Sequence, residues 1–62
     1  MQRIEQDLMT VNEAAAFLRV RASWIYSRTR GGDFPVVKLG GHIRVPRREL
    51  IEWVNERRVK AA

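Results

Sequence analysis

Sixty-two residues make one domain, and a chain that short buries only about 60% of the surface it exposes when unfolded. It has no cysteine and one histidine, which excludes a disulfide framework and a thiolate zinc site. Twelve Lys and Arg against seven Asp and Glu give a formal net charge of +5, a balance that favours a polyanionic partner through counterion release.

No apolar run approaches the roughly 18 residues of a membrane span, and the opening MQRIEQDLM lacks a signal-peptide core. The expected location is the cytoplasm of a bacterial host, with no membrane partner. Catalysis has little to work with: there is no carboxylate pair fixed in a cleft, and little volume for a pocket. No enzymatic role, cofactor, metal or small-molecule ligand is expected.

In chain order, residues 1–9 show no period and read as a loose N-terminal arm, with Leu8 tucked onto the core. Thr10 to Glu13 spells T-x-x-E, the capping box in which the threonine hydroxyl takes an orphan amide and the glutamate reaches back. Val11, Ala14, Ala15 and Leu18 then fall on one stripe of a short helix. Arg19 and Val20 form a corner. A second helix is predicted from about Ala22 to Thr29, buried on the Ile25 side, with Ala22, Thr29, Arg21 and Arg28 within about 60° of Ile25 at 100° per residue. Ser23, Ser27 and Arg30 face outward, with Tyr26 and Trp24 on the flanks. Residues 21–30 carry Arg21, Arg28 and Arg30 and no acid. Gly31 and Gly32 stop the helix, and Pro35 opens the next segment.

VVKLGGHIRV, residues 36–45, reads as a β-hairpin. A two-residue Gly40–Gly41 loop mixes apolar and polar side chains on each face. A three-residue loop, Gly40 to His42, pairs Leu39 with Ile43 and Val37 with Val45 on one clean apolar face. The three-residue loop is therefore expected. It sets Lys38 directly opposite Arg44, a like-charge pair that is unfavourable unless an anion lies between them. Pro46 suits the first turn of a last helix, whose stripe Leu50, Ile51, Trp53 and Val54 closes the core. A frayed tail is expected over 59–62.

The order helix, helix, two-stranded wing, helix, with the domain spanning 10–58, is an α+β, mainly α, winged helix-turn-helix. Its second helix is of a size to enter a DNA major groove. Arg21, Arg28 and Arg30 are candidates for phosphate or guanine, and Ser23, Tyr26 and Ser27 for the groove face. Lys38, Gly41, His42 and Arg44 are the candidates in the wing.

Residues 8–54, LMTVNEAAAFLRVRASWIYSRTRGGDFPVVKLGGHIRVPRRELIEWV, resemble the excisionase-type family of recombination directionality factors, with its MerR-like winged helix. The resemblance lies in T-x-x-E-A-A, L-x-V, S-W-I-Y, G-D-F-P, V-K-L-G-G, R-V-P and L-x-x-W. It implies a recognition helix presenting Ser23, Tyr26 and Ser27 to the major groove. It also implies a wing presenting Lys38, Gly41, His42 and Arg44 to backbone or minor groove. The chain departs from the family where Arg21 replaces a capping serine, and where Ala22 and Ser27 stand in place of arginines, so that Arg21, Arg28 and Arg30 are possible substitutes. The implied role is a phage or mobile-element excisionase that binds adjacent sites on double-stranded DNA through cooperative self-association, bends the duplex, and turns an integrase (a tyrosine or serine recombinase) toward excision. A full MerR regulator continues into a long dimerisation helix and an effector domain, for which this length leaves no room. A small MerR-like transcriptional regulator at an operator is the alternative, and a protein-interaction adaptor a more distant one.

Overall fold

A computed structural model describes residues 7–59. The rest of the expected arm and tail, residues 1–6 and 60–62, lies outside the described residues. The elements are β1 (Leu8–Thr10), α1 (Val11–Leu18), α2 (Ala22–Gly31), β2 (Val37–Leu39), β3 (His42–Pro46) and α3 (Arg47–Glu56). This is the winged helix-turn-helix expected from the pattern, with one strand more. Among the described residues no helix is long and apolar enough to cross a membrane.

The capping box forms as the sequence spells it. The Glu13 amide donates to Thr10 Oγ1 at 3.0 Å, and the Thr10 amide donates to Glu13 Oε1 at 2.9 Å. At the other end of α1, Arg19 adopts the left-handed conformation (φ 62°, ψ 43°). The Val20 amide donates to the Ala15 carbonyl at 3.0 Å and the Arg19 amide to the Ala16 carbonyl at 3.2 Å. This pair of bonds is a Schellman motif, here closed by arginine where glycine is usual. It turns the chain sharply into α2. Arg21 caps α2 without any side-chain bond, consistent with its having no acceptor oxygen. Gly32, at φ 85°, closes α2 in the left-handed region that glycine enters without strain.

The core gathers Met9, Val11, Ala14, Ala15, Ile25, Phe34, Val45 and Leu50. The small Ala14 and Ala15 let α2 approach α1 closely, seating Ile25 with no exposed surface. On α3, Leu50 is fully buried and Trp53 and Val54 are half-buried. Ile51, expected on that stripe, is 42% exposed. At 100° per residue it stands a quarter-turn and more from Leu50, whereas Trp53 and Val54 flank Leu50's row.

Two features of the sheet differ from expectation. Residues 8 and 9 of the expected arm are not loose: Leu8–Thr10 pairs antiparallel with β3, Leu8 with Pro46, Met9 with Val45 and Thr10 with Arg44, so the sheet has three strands in the order β1-β3-β2. Met9, 3% exposed, fills the core, and Leu8 is half-buried. The hairpin loop has two residues, not three. Leu39 pairs with His42, Lys38 with Ile43 and Val37 with Arg44. Gly40 has φ 59° and Gly41 stays outside the positive region, the pattern of a type II′ turn, whose twist suits a two-residue hairpin. The clean apolar face is unnecessary because Met9 on β1, with Ile43 and Val45 on β3, already supplies the inner surface. Val37 and Leu39 consequently lie on the outer face, Leu39 48% exposed.

Candidate nucleic-acid interface

Successive strand residues point to opposite faces, so the corrected register sorts the wing. His42, Arg44, Val37 and Leu39 share the outer face; Ile43, Val45 and Lys38 share the inner one. Lys38 and Arg44, expected opposite one another, are separated by the thickness of the sheet. The like-charge pair does not exist, and no anion is needed to explain it. Lys38 stands exposed near the tip, whereas Arg44 is half-buried, its Nη1 donating to the Ile43 carbonyl at 2.9 Å.

A concavity of about 290 Å³ lies between the wing, the start of α1 and the middle of α2. Its walls are Thr10, Val11, Asn12, Tyr26, Gly41, His42, Ile43 and Arg44. Three elements distant in sequence thus meet along one surface. Of the candidate residues, Tyr26, Gly41, His42 and Arg44 are brought together here. The β1–β3 ladder holds the wing against the start of α1, since Thr10 pairs with Arg44 and also caps the helix. Asn12, exposed at the second position of α1, had no place among the sequence candidates. The capping box that fixes the helix start was the signal that could have found it, because the amides of a first turn point outward toward anions.

Ser23, Ser27 and Arg30 are exposed on α2, and Arg21 is exposed at its start. Tyr26 is 45% exposed. Ser23, Tyr26, Ser27 and Arg30 form a face of hydroxyls and one cation along the helix, continuous with the concavity through Tyr26.

Arg28 belongs elsewhere. Its Nη2 donates to Asp33 Oδ2 at 2.6 Å, and its guanidinium carbon lies 5.5 Å from the Trp24 ring centroid and 5.8 Å from that of Trp53. Trp24, Phe34 and Trp53 meet edge to face, with centroids 5.0–6.3 Å apart, a favourable arrangement for ring quadrupoles. Trp53 Nε1 donates to the Asp33 carbonyl at 2.6 Å, and the Arg57 guanidinium carbon lies 3.9 Å from the Trp53 ring centroid. Trp24 is therefore a packing residue, 37% exposed, that joins α2 to α3. Arg28, one of the candidate DNA contacts, is engaged in this cluster.

A recognition helix beside a wing, held on a three-helix core, defines a DNA-binding domain. The chain belongs to the family described as "Helix-turn-helix domain", whose model matches residues 8–58; this is a DNA-binding domain found in excisionase-like proteins. The matched span begins at the first residue of β1 and thus takes in all three strands. No curated protein and no solved structure matches the chain. Sequence-specific binding of DNA follows from the domain type.

Proposed function

We propose that the domain is an architectural DNA-binding protein of the excisionase kind. It seats α2 in the major groove and the wing on the adjacent backbone, occupies neighbouring sites cooperatively, and biases a recombinase toward excision by bending the duplex. The observation that carries this reading is the concavity that aligns Tyr26, the wing residues His42 and Arg44, and the start of α1. A duplex running over α2 meets all three. A single module of this size covers about 600–1,000 Å² of protein surface on DNA, too little for high specificity alone. Several copies on adjacent sites supply the missing affinity, and contacts on both sides of a groove offset the cost of the bend. The role is binding without catalysis, in the cytoplasm, on double-stranded DNA.

The test is capture of sheared DNA from the source replicon by the purified chain, followed by sequencing and a bending assay on the enriched fragment. Clustered direct repeats beside a recombination site, bent on binding, are expected. A lone site over a promoter replaces the excisionase role with transcriptional regulation. No enrichment at low salt overturns DNA binding altogether.

A further inference from the structure

Of the three arginines at α2, Arg28 is the one whose surroundings are already filled. At roughly 100° per residue it lies about 140–160° around the helix from Ser23, Tyr26 and Arg30, so it projects away from the face that meets the concavity. Its head group is ion-paired with Asp33 and approaches two indole rings, while its Nε is buried with no hydrogen-bond partner. The last point matters. A guanidinium free to swing toward phosphate keeps all its donors hydrated; one held between a carboxylate and two rings forfeits a donor to stay in place. Asp33 lies in the loop after α2, and Trp53 lies on α3. Trp53 is itself bonded to the Asp33 carbonyl.

We propose that Arg28 is a positioning residue: it fastens the end of α2 to α3 and the 32–35 loop, setting the angle at which the recognition face enters the groove, and contacts no phosphate. The inference rests on the DNA-binding reading and assigns within it a role opposite to the one its charge suggests. Specific binding needs the helix at one angle, because base edges are read bidentately over short distances. Non-specific binding rests on total charge and tolerates tilt. Loosening the fastening therefore lowers the first far more than the second.

The experiment measures affinity across salt concentrations for two duplexes, one enriched by the wild-type chain from a random library and a scrambled one of equal composition. The variants are Arg28→Met/Asp33→Asn, which removes the pair without altering net charge, and Arg28→Lys, which keeps the charge but not the guanidinium. Thermal melts fix a working temperature at which each variant is folded. Both variants are expected to lose about 5-fold or more of the specific-to-scrambled ratio while the salt slope stays that of the wild type. A phosphate contact gives the reverse: a slope smaller by about 0.9 in the double variant, full retention in Arg28→Lys, and an unchanged ratio. That result overturns the assignment, as does a ratio and slope unchanged in both variants. If the wild type enriches no duplex from the library even at low salt, the DNA-binding reading falls and takes this inference with it.

Discussion

Replacing Arg19 with glycine should stabilise the domain although it removes a side chain and adds no contact. Arg19 is held at φ 62° and ψ 43°, because the Schellman bonds at the end of α1 close only there. A side chain in this region costs an L-residue roughly 1–2 kcal/mol, through the approach of Cβ to the following carbonyl. Glycine escapes that cost, but its unfolded chain is freer by about 0.4–1 kcal/mol, which offsets part of the gain. The loss of a cation at a helix C-terminus takes away about 0.3 kcal/mol more, the low end expected for an exposed, salt-screened charge. At the middle of these ranges the net gain is about 0.5 kcal/mol, and in a domain this small each kilocalorie moves Tm by about 4–8 °C. Far-ultraviolet circular dichroism melts of wild type and Arg19→Gly, at matched salt, should therefore differ by about 2–4 °C in favour of the variant. An equal or lower Tm would refute the reasoning, since it would mean that the corner is not strained as its dihedrals imply. Because the exchange leaves the corner geometry intact, the order of preference among DNA sequences should not change.

Thr10→Ala removes the hydroxyl that accepts the Glu13 amide and should cost about 1 kcal/mol, read as a lower urea midpoint at unchanged m-value; an unaltered midpoint would show that the box is idle. Gly40→Ala places a Cβ at φ 59°, where space is open but the backbone is unfavourable. It should cost about 1 kcal/mol and broaden or shift the amide resonances of the wing by NMR, and a neutral effect would argue against the type II′ turn. Arg44→Met should weaken binding to all duplexes and reduce the salt slope by about 0.9, whereas Lys38→Met, on the opposite face of the sheet, should do less; equal losses in an anisotropy titration would contradict the register. Arg30→Ala should change which sequences are enriched from a random library, and a uniform loss would make Arg30 a backbone contact.

Local signals carried most of the fold. T-x-x-E fixed the start of α1, alanines at its stripe marked a close helix crossing, paired glycines ended α2, and Leu50 with Trp53 marked the buried side of α3. What stayed hidden was non-local. A three-residue strand such as Leu8–Thr10 shows no period of its own and exists because β3 offers it a ladder. Once Met9 occupies the inner face, the hairpin gains nothing from a clean apolar face of its own, and turn geometry at Gly40 decides the register. The same holds for the site. Exposure of Ser23, Ser27 and Arg30 followed from the helical period, whereas the engagement of Arg28 depended on Asp33 and on Trp53, a residue 25 positions further along the chain.

Thr10 is at once the last residue of β1, the partner of Arg44 and the cap of α1. A portable version of this module cannot be cut where its first helix begins. A graft starting at Val11 would discard an edge strand, a core methionine and a helix cap in three residues, and would leave β3 with an open flank ready to pair with a neighbouring chain. The smallest transferable unit carries Leu8 and Met9. Any fusion partner should be joined upstream of them, by a linker too polar to continue the strand.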